Sequence, residues 1–134
     1  NNLFNQSFRK WRIDNGIFGF AKEHGRTVTH YDSNFTLSRL AITESRTVIS
    51  YMYLEENGLI GYHMAPVNQI LYVVQGEGLV CGENKEHKRI QAGEAVFWTK
   101  GEWHETKTVK GLTAIVIEGE TLNPELLTNI NARE

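Results

Sequence analysis

The chain has 134 residues, of which 40% are hydrophobic and 22% are charged, and its formal net charge is -2. This length suits one domain with a buried core. The weak net charge excludes strong electrostatic attraction to nucleic acid or to an anionic membrane. No apolar run reaches the ~18 residues that a membrane-spanning helix needs. We therefore expect one globular domain that has neither nucleic acid nor membrane as a partner.

Cys81 is the one cysteine of the chain. A single cysteine cannot form an intramolecular disulfide, so the composition does not require an oxidising compartment. The sequence also shows no basic segment followed by an apolar run, the pattern of a secretory signal. We therefore expect a cytoplasmic protein in which Cys81 is a small buried hydrophobic residue.

The first segment, residues 1–34, has the least regular pattern. Its aromatic residues predict that it packs on or across the rest of the domain, and they are Phe4, Phe8, Trp11, Phe18 and Phe20. Residues 26–32 and 35–42 are rich in β-formers and predict two strands.

Short apolar runs between polar turns dominate residues 35–122, which we take as the body of the domain. Residues 47–54 are apolar on both faces and predict a strand buried between two sheets. Asn57-Gly58 predicts the turn that follows. Further strands are predicted at residues 59–63, 70–74, 79–81, 87–91, 95–98, 104–109 and 112–118.

Three local signals connect or end these strands. Gly76-Glu77-Gly78 predicts the end of the strand over residues 70–74. Lys110-Gly111 predicts a two-residue hairpin between the last two strands. Residues 123–134 form a separate tail, in which Asn123 as cap and Pro124 at the first helical position predict a short helix through about Asn131. The whole pattern predicts an all-β sandwich or closed barrel with a short C-terminal helix.

Two segments carry polar side chains that share a strand face. Alternate residues of a strand point the same way, so His63, Ala65 and Gln69 have common parity. In the second segment His104 and Thr106 share one face, and we expect the intervening Glu105 to face water. A polar inner face predicts a hydrated pocket inside the barrel.

The first segment resembles the first motif of the cupin superfamily, G-x5-H-x-H-x3/4-E-x6-G. His63 occupies the first histidine position and Gly76 the closing glycine. Ala65 replaces the second histidine and Gln69 replaces the glutamate. The leading glycine, Gly58, is one residue too close to His63.

The second segment is similar to the second cupin motif, G-x5-P-x-G-x2-H-x3-N. Gly93, Gly101 and His104 match, whereas Thr99 replaces the proline and Thr108 the asparagine. The two matches lie in family order over about residues 57–108, and the surrounding strands extend the likeness to roughly residues 35–118. The resemblance implies a cupin jelly-roll β-barrel.

The resemblance also implies a site inside the barrel. Cupins commonly hold one divalent transition metal there, Fe, Mn, Ni, Zn or Cu, and the matching ligands here are His63, Gln69 and His104. The same three residues are also suited to bind a small organic molecule in a metal-free pocket, with weak acid/base activity, and we favour this reading slightly over the metal site. Thr106, Trp98 and Tyr51 are further candidates to line it, although aromatic residues of this kind also build ordinary cores.

Three functions therefore stay open. The first is a small-molecule-binding cupin with no cofactor, the second a metal-dependent dioxygenase or isomerase, and the third a non-catalytic sensor or interaction domain. The absence of a helix-turn-helix pattern weakens the third. Small cupins commonly pair through their sheets, so the resemblance also implies a homodimer. The remaining histidines, His24, His30 and His87, are expected to be surface or loop residues.

Overall fold

The computed structural model describes residues 12–14 and 16–123 of the chain. This part contains eleven strands and two single-turn 3₁₀ helices, Lys22–His24 and His30–Asp32. The strands are β1 (Arg12–Asp14), β2 (Ile17–Gly19), β3 (Arg26–Val28), β4 (Phe35–Leu37), β5 (Thr47–Leu54), β6 (Leu59–Met64), β7 (Gln69–Cys81), β8 (Lys88–Gln91), β9 (Glu94–Trp98), β10 (Trp103–Lys107) and β11 (Leu112–Gly119). The prediction of an all-β domain is confirmed. The predicted C-terminal helix lies outside the described residues.

The strands form two antiparallel sheets that share β7. The first sheet has the order β1-β2-β9-β7-β11-β5, and the second has the order β8-β7-β10-β6. A separate hairpin pairs β3 with β4. The first half of β7 pairs with β9 and β11, and its second half pairs with β8 and β10. The long shared strand therefore closes one side of the barrel.

The main core fills the space between the sheets. Leu71, Val96 and Val116 enter it from the first sheet, and Val80 and Ile90 enter it from the second. All five are at most 3% exposed. These positions follow the strand alternation, because their neighbours in sequence point to the outer faces.

A second apolar cluster covers the outer face of the first sheet. Phe18 and Phe20 pack edge-on against Tyr72, with ring centroids 6.5 and 5.3 Å away. Leu122 from the other end of the described chain joins the same cluster. Strand β2 pairs with β9, so residues 17–19 extend the first sheet.

Two predicted chain reversals are absent from their expected places. Gly76-Glu77-Gly78 does not end a strand but lies within the 13-residue β7, because glycine lets the strand bend from one sheet into the other. Strands β10 and β11 do not form a hairpin, because β10 pairs with β6 and β7 whereas β11 pairs with β5 and β7. Residues 108–111 instead cross between the sheets.

Other strand predictions need smaller corrections. Strand β5 is not buried between sheets: among the described strands it pairs with β11 alone and so lies at an edge of the first sheet. The predicted strands at residues 26–32 and 35–42 shorten to β3 and β4, and residues 30–32 form a 3₁₀ turn. The turn after β5 is as predicted, with Asn57 at a φ of 62°. Among the described residues, neither helix has the length or the apolar character needed to cross a bilayer.

Candidate functional site

His63 and His104 lie side by side in the structure. They are directly paired between β6 and β10, and their ring centroids are 4.6 Å apart. A β-bulge makes this pairing: Gly61 and Tyr62 together oppose Glu105, so the register shifts between His104 and Thr106. Simple alternation along β6 would have placed Ile60 and His63 on opposite faces, whereas the bulge lets both approach the interior.

The two imidazoles differ in their hydrogen bonding. His63 Nδ1 lies 2.7 Å from the carbonyl oxygen of Gly61. A neutral His63 that donates Nδ1–H to this carbonyl keeps Nε2 as a lone-pair acceptor. His104 is 2% exposed, and neither of its ring nitrogens has a hydrogen-bond partner among the described residues. Burial, and secondly the nearby His63, lower the pKa of His104 from 6.5 to about 4.

Trp98 forms a wall of the same site. Its ring stacks on His104 with centroids 4.8 Å apart and planes at 24°. Trp98 is 6% exposed, and its Nε1 is also buried without a partner in the described chain. Trp98 in β9 and His104 in β10 thus bring together three buried ring nitrogens that can form hydrogen bonds.

Gln69 lies next to this wall, because it pairs with Trp98 between β7 and β9. Its Nε2 donates to the Glu118 Oε2 at 3.3 Å. Neither motif points to Glu118, although its position relative to Ala114 and Val116 in β11 gives it the parity of the core residues. A carboxylate therefore lies at this end of the barrel, held by the amide that replaces the family's glutamate.

The remaining motif positions have packing or backbone roles. Ala65, at the second histidine position, is 0% exposed and belongs to the main core. Thr106 is 1% exposed, two positions from His104 on the same strand. Thr108 donates its hydroxyl to the Glu77 carbonyl at 2.7 Å and accepts from Gly111 N at 2.9 Å. Thr108 thus fixes the crossing between the sheets.

The structure does not bring Tyr51 into this group. Tyr51 is 53% exposed and stacks on Tyr53 at 5.0 Å, on the face of β5 that points away from the barrel. Glu102 accepts a hydrogen bond from Thr99 N at 2.9 Å and closes the turn before β10.

The chain resembles one known protein family over about half of its length. The family model described as "Cupin domain" matches residues 50–120, just over half of the chain. No curated protein gives a significant match.

Solved structures share the fold of this chain. A cupin superfamily protein from Desulfitobacterium hafniense superposes with a TM-score of 0.52 and 12% identity, covering 59% of this chain and 72% of the other. The polyketide cyclase RemF from Streptomyces resistomycificus superposes with a TM-score of 0.52 and 21% identity, covering 60% of this chain and 59% of the other. The DMSP lyase DddQ from Ruegeria pomeroyi superposes with a TM-score of 0.51 and 24% identity, and the match covers 55% of this chain but only 39% of the lyase.

These identities are low, so the structural matches establish the fold and not an activity. The family match, the shared two-sheet barrel and the order of the two motifs agree with one another. The chain is therefore a member of the cupin superfamily.

Proposed function

We propose that this cupin binds a small polar molecule inside its barrel through His63 and His104. The observation that carries the proposal is the group of three buried ring nitrogens, two of His104 and one of Trp98, that have no hydrogen-bond partner in the described chain. Buried polar groups nearly always have a partner, and leaving one unpaired costs about 1–3 kcal/mol. A ligand with a carbonyl, carboxylate or hydroxyl group would provide such partners.

Each residue has a role in this proposal. His104 is neutral at pH 7 because its pKa is about 4, so it offers one N–H donor and one acceptor without a charge. His63 Nε2 offers a second acceptor, the Trp98 ring covers a planar group, and Gln69 and Thr106 supply polar atoms nearby. A neutral N–H donor beside a base is also suited to modest acid/base chemistry on a carbonyl compound.

The proposal is tested by NMR of protein with ¹⁵N-labelled histidine, titrated with a panel of small keto acids, hydroxy acids and amides. We expect at least one compound to shift the imidazole signals of His63 and His104 together. The variants His63→Ala and His104→Ala should weaken that compound's binding at least tenfold. The exposed His30, replaced by Gln, is the matched control and should change nothing. Binding unchanged in both site variants would refute the assignment.

A second function, a divalent-metal-dependent enzyme, is favoured by one observation. The His63 Nδ1 contact with the Gly61 carbonyl is the backbone hydrogen bond that commonly orients a metal-binding histidine and leaves Nε2 to coordinate. The donor set fits a transition metal in part: His63 and His104 supply two imidazoles and Gln69 an amide oxygen. A bound metal would contribute Lewis-acid or redox chemistry. The three residues would hold the metal in place, and the Trp98 ring would exclude water from one side of the site.

Elemental mass spectrometry of untagged protein, purified without added metal, separates the two functions. Near one transition metal per chain, lost in the His63→Ala and His104→Ala variants, would support the metal enzyme. Ligand shifts that survive chelator treatment would support the metal-free pocket instead.

We also propose that the protein is a homodimer and acts in the cytoplasm. Support for the dimer comes from the edge strand β5, whose outward residues Ile49, Tyr51 and Tyr53 are 68, 53 and 72% exposed. An edge strand with an exposed apolar face invites pairing with a second copy. The single cysteine suits a reducing compartment.

A further inference from the structure

Three potential metal ligands meet on the outer face of the second sheet, away from the barrel site. They are Cys81 at the end of β7, His87 just before β8, and Glu105 in β10. One ligand atom from each lies within 4.8 Å of the other two. No local sequence pattern indicates this cluster, because its three residues are separated by loops and the spacing around His87 predicts only a surface or loop residue.

The register of the sheet explains why they meet. Cys81 pairs directly with Glu105 between β7 and β10. On the other side of β7, Val80 pairs with Lys88, so His87 comes next to Cys81. Val80, His104 and Thr106 point into the core, and alternation sends Cys81 and Glu105 to the opposite face. The central thiol is therefore flanked by an imidazole and a carboxylate from the two neighbouring chain segments.

The contacts show that the flanking groups converge over the thiol. His87 Nε2 lies 3.3 Å from the Glu105 Oε1, and the side chains of His87 and Glu105 are 33 and 23% exposed. Cys81 is 4% exposed and makes no disulfide. The thiol is thus buried, whereas the two flanking ligand side chains are partly open to solvent.

The spacing between the His87 and Glu105 ligand atoms matches a tetrahedral zinc site. Zn–N and Zn–O bonds of about 2.0–2.1 Å at tetrahedral angles place the two ligand atoms about 3.3 Å apart, which is the spacing found between His87 and Glu105. A thiolate at about 2.3 Å from zinc lies about 3.6 Å from each of the other ligands, which is within the 4.8 Å that bounds the separations of the three ligand atoms. One thiolate and one carboxylate also neutralise the two charges of Zn²⁺.

We propose that Cys81, His87 and Glu105 form a second, external metal site that binds Zn²⁺ or a similar borderline-soft cation. Three protein ligands leave the fourth position to water or to a ligand from solvent. The site also links β7, β10 and the loop before β8, so the metal would brace this side of the sheet. It is distinct from the barrel site, since Glu105 and His104 are consecutive residues on opposite faces of β10.

Cobalt binding tests the proposal, because Co²⁺ substitutes for zinc and a Co²⁺–thiolate bond gives an intense near-ultraviolet charge-transfer band. The chain has one cysteine, so such a band reports Cys81 alone. We expect purified, metal-stripped protein to develop the band on addition of one equivalent of Co²⁺ and to lose it when Zn²⁺ is added. Cys81→Ser should abolish the band.

The partly exposed ligands provide variants that leave the core intact. His87→Gln and Glu105→Gln should each weaken Co²⁺ binding at least tenfold, as measured by the band in a competitive titration. The double variant His63→Ala/His104→Ala should keep it, which separates this site from the barrel. The proposal is wrong if wild-type protein gives no thiolate band, or if the band is unaffected by both His87→Gln and Glu105→Gln.

Discussion

His104 is held between the rings of His63 and Trp98, and this environment decides its charge. Its centroid lies 4.6 Å from the first ring and 4.8 Å from the second. No carboxylate or carbonyl among the described residues accepts a hydrogen bond from it, so nothing compensates for the loss of hydration of an imidazolium. Ala65, which replaces the second histidine of the first motif, fills core space. Two of the three histidines in the family pattern are therefore retained, His104 as a buried neutral group, and the third is replaced by a packing residue.

The charge of His104 predicts how the stability of the metal-free protein depends on pH. Its pKa is 6.5 ordinarily and about 4 in the fold, so the unfolded chain binds the proton more tightly. The stability that the fold gains from keeping His104 neutral is therefore complete above pH 6.5, and it is lost as the pH falls toward 4. We expect a loss on the order of 2–3 kcal/mol over this interval.

Urea unfolding at several pH values, with chelator present, measures this dependence. The variant His104→Gln should be less sensitive to pH between 6.5 and 4 than the wild type by about that amount. Equal slopes for the two proteins would show that His104 does not titrate as described.

Strand β7 is the element that connects the two sheets, and Gly76 is the residue that allows it to do so. Gly76 has a φ of +84°, a conformation that is strained for residues with a Cβ. A Cβ there would also collide with the backbone carbonyl oxygen of Gly111. The crossing between β10 and β11 therefore packs directly on the bend of β7, and Thr108 ties the two together.

Replacing this glycine should destabilise the whole barrel. We expect Gly76→Ala to lower the free energy of unfolding by roughly 2 kcal/mol or more, because strain at positive φ costs about 1–3 kcal/mol and the clash adds to it. Gly61→Ala is the matched control, since no atom lies within 4 Å of its added Cβ, and it should cost about 1 kcal/mol or less. Chemical denaturation of both variants measures the difference, and equal costs would contradict this account of β7.

At the scale of the whole molecule, the outer face of the first sheet is covered from solvent over some strands and exposed over others. The cluster that includes Phe18, Tyr72 and Leu122 covers the outer face over β9, β7 and β11. Beyond it, β5 exposes Ile49, Tyr51 and Tyr53 along one edge. Covering this strip with the same strip of a second copy would remove apolar surface from water and shield the edge.

The dimer is tested by light scattering coupled to gel filtration. Wild-type protein should have twice the 15.3 kDa chain mass, and the variants Ile49→Lys and Tyr53→Lys should shift toward the monomer. Val109→Lys is the control, because Val109 is equally exposed at 70% but lies outside this strip. A monomeric wild type, or a dimer unaffected by both β5 variants, would rule the interface out.

Much of the fold is predictable from local patterns. The strands at β5, β9 and β11 are continuous apolar or alternating runs whose residues prefer extended backbone, and the Asn57-Gly58 turn follows from backbone preference alone. The long β7 and the crossing at residues 108–111 were mispredicted because glycines permit both a turn and a bend. The choice between them depends on which distant strands compete for pairing.

The sequence by itself determined the all-β class, the two cupin motifs and the candidate residues His63, Gln69 and His104, because these depend on residue type and near-neighbour spacing. The tertiary structure decided that a bulge turns His63 toward His104, that Glu118 holds Gln69, and that Tyr51 lies outside the barrel. It also brought Cys81, His87 and Glu105 together. Contacts across neighbouring strands depend on register, which is set by the packing of the whole sheet and not by any one segment.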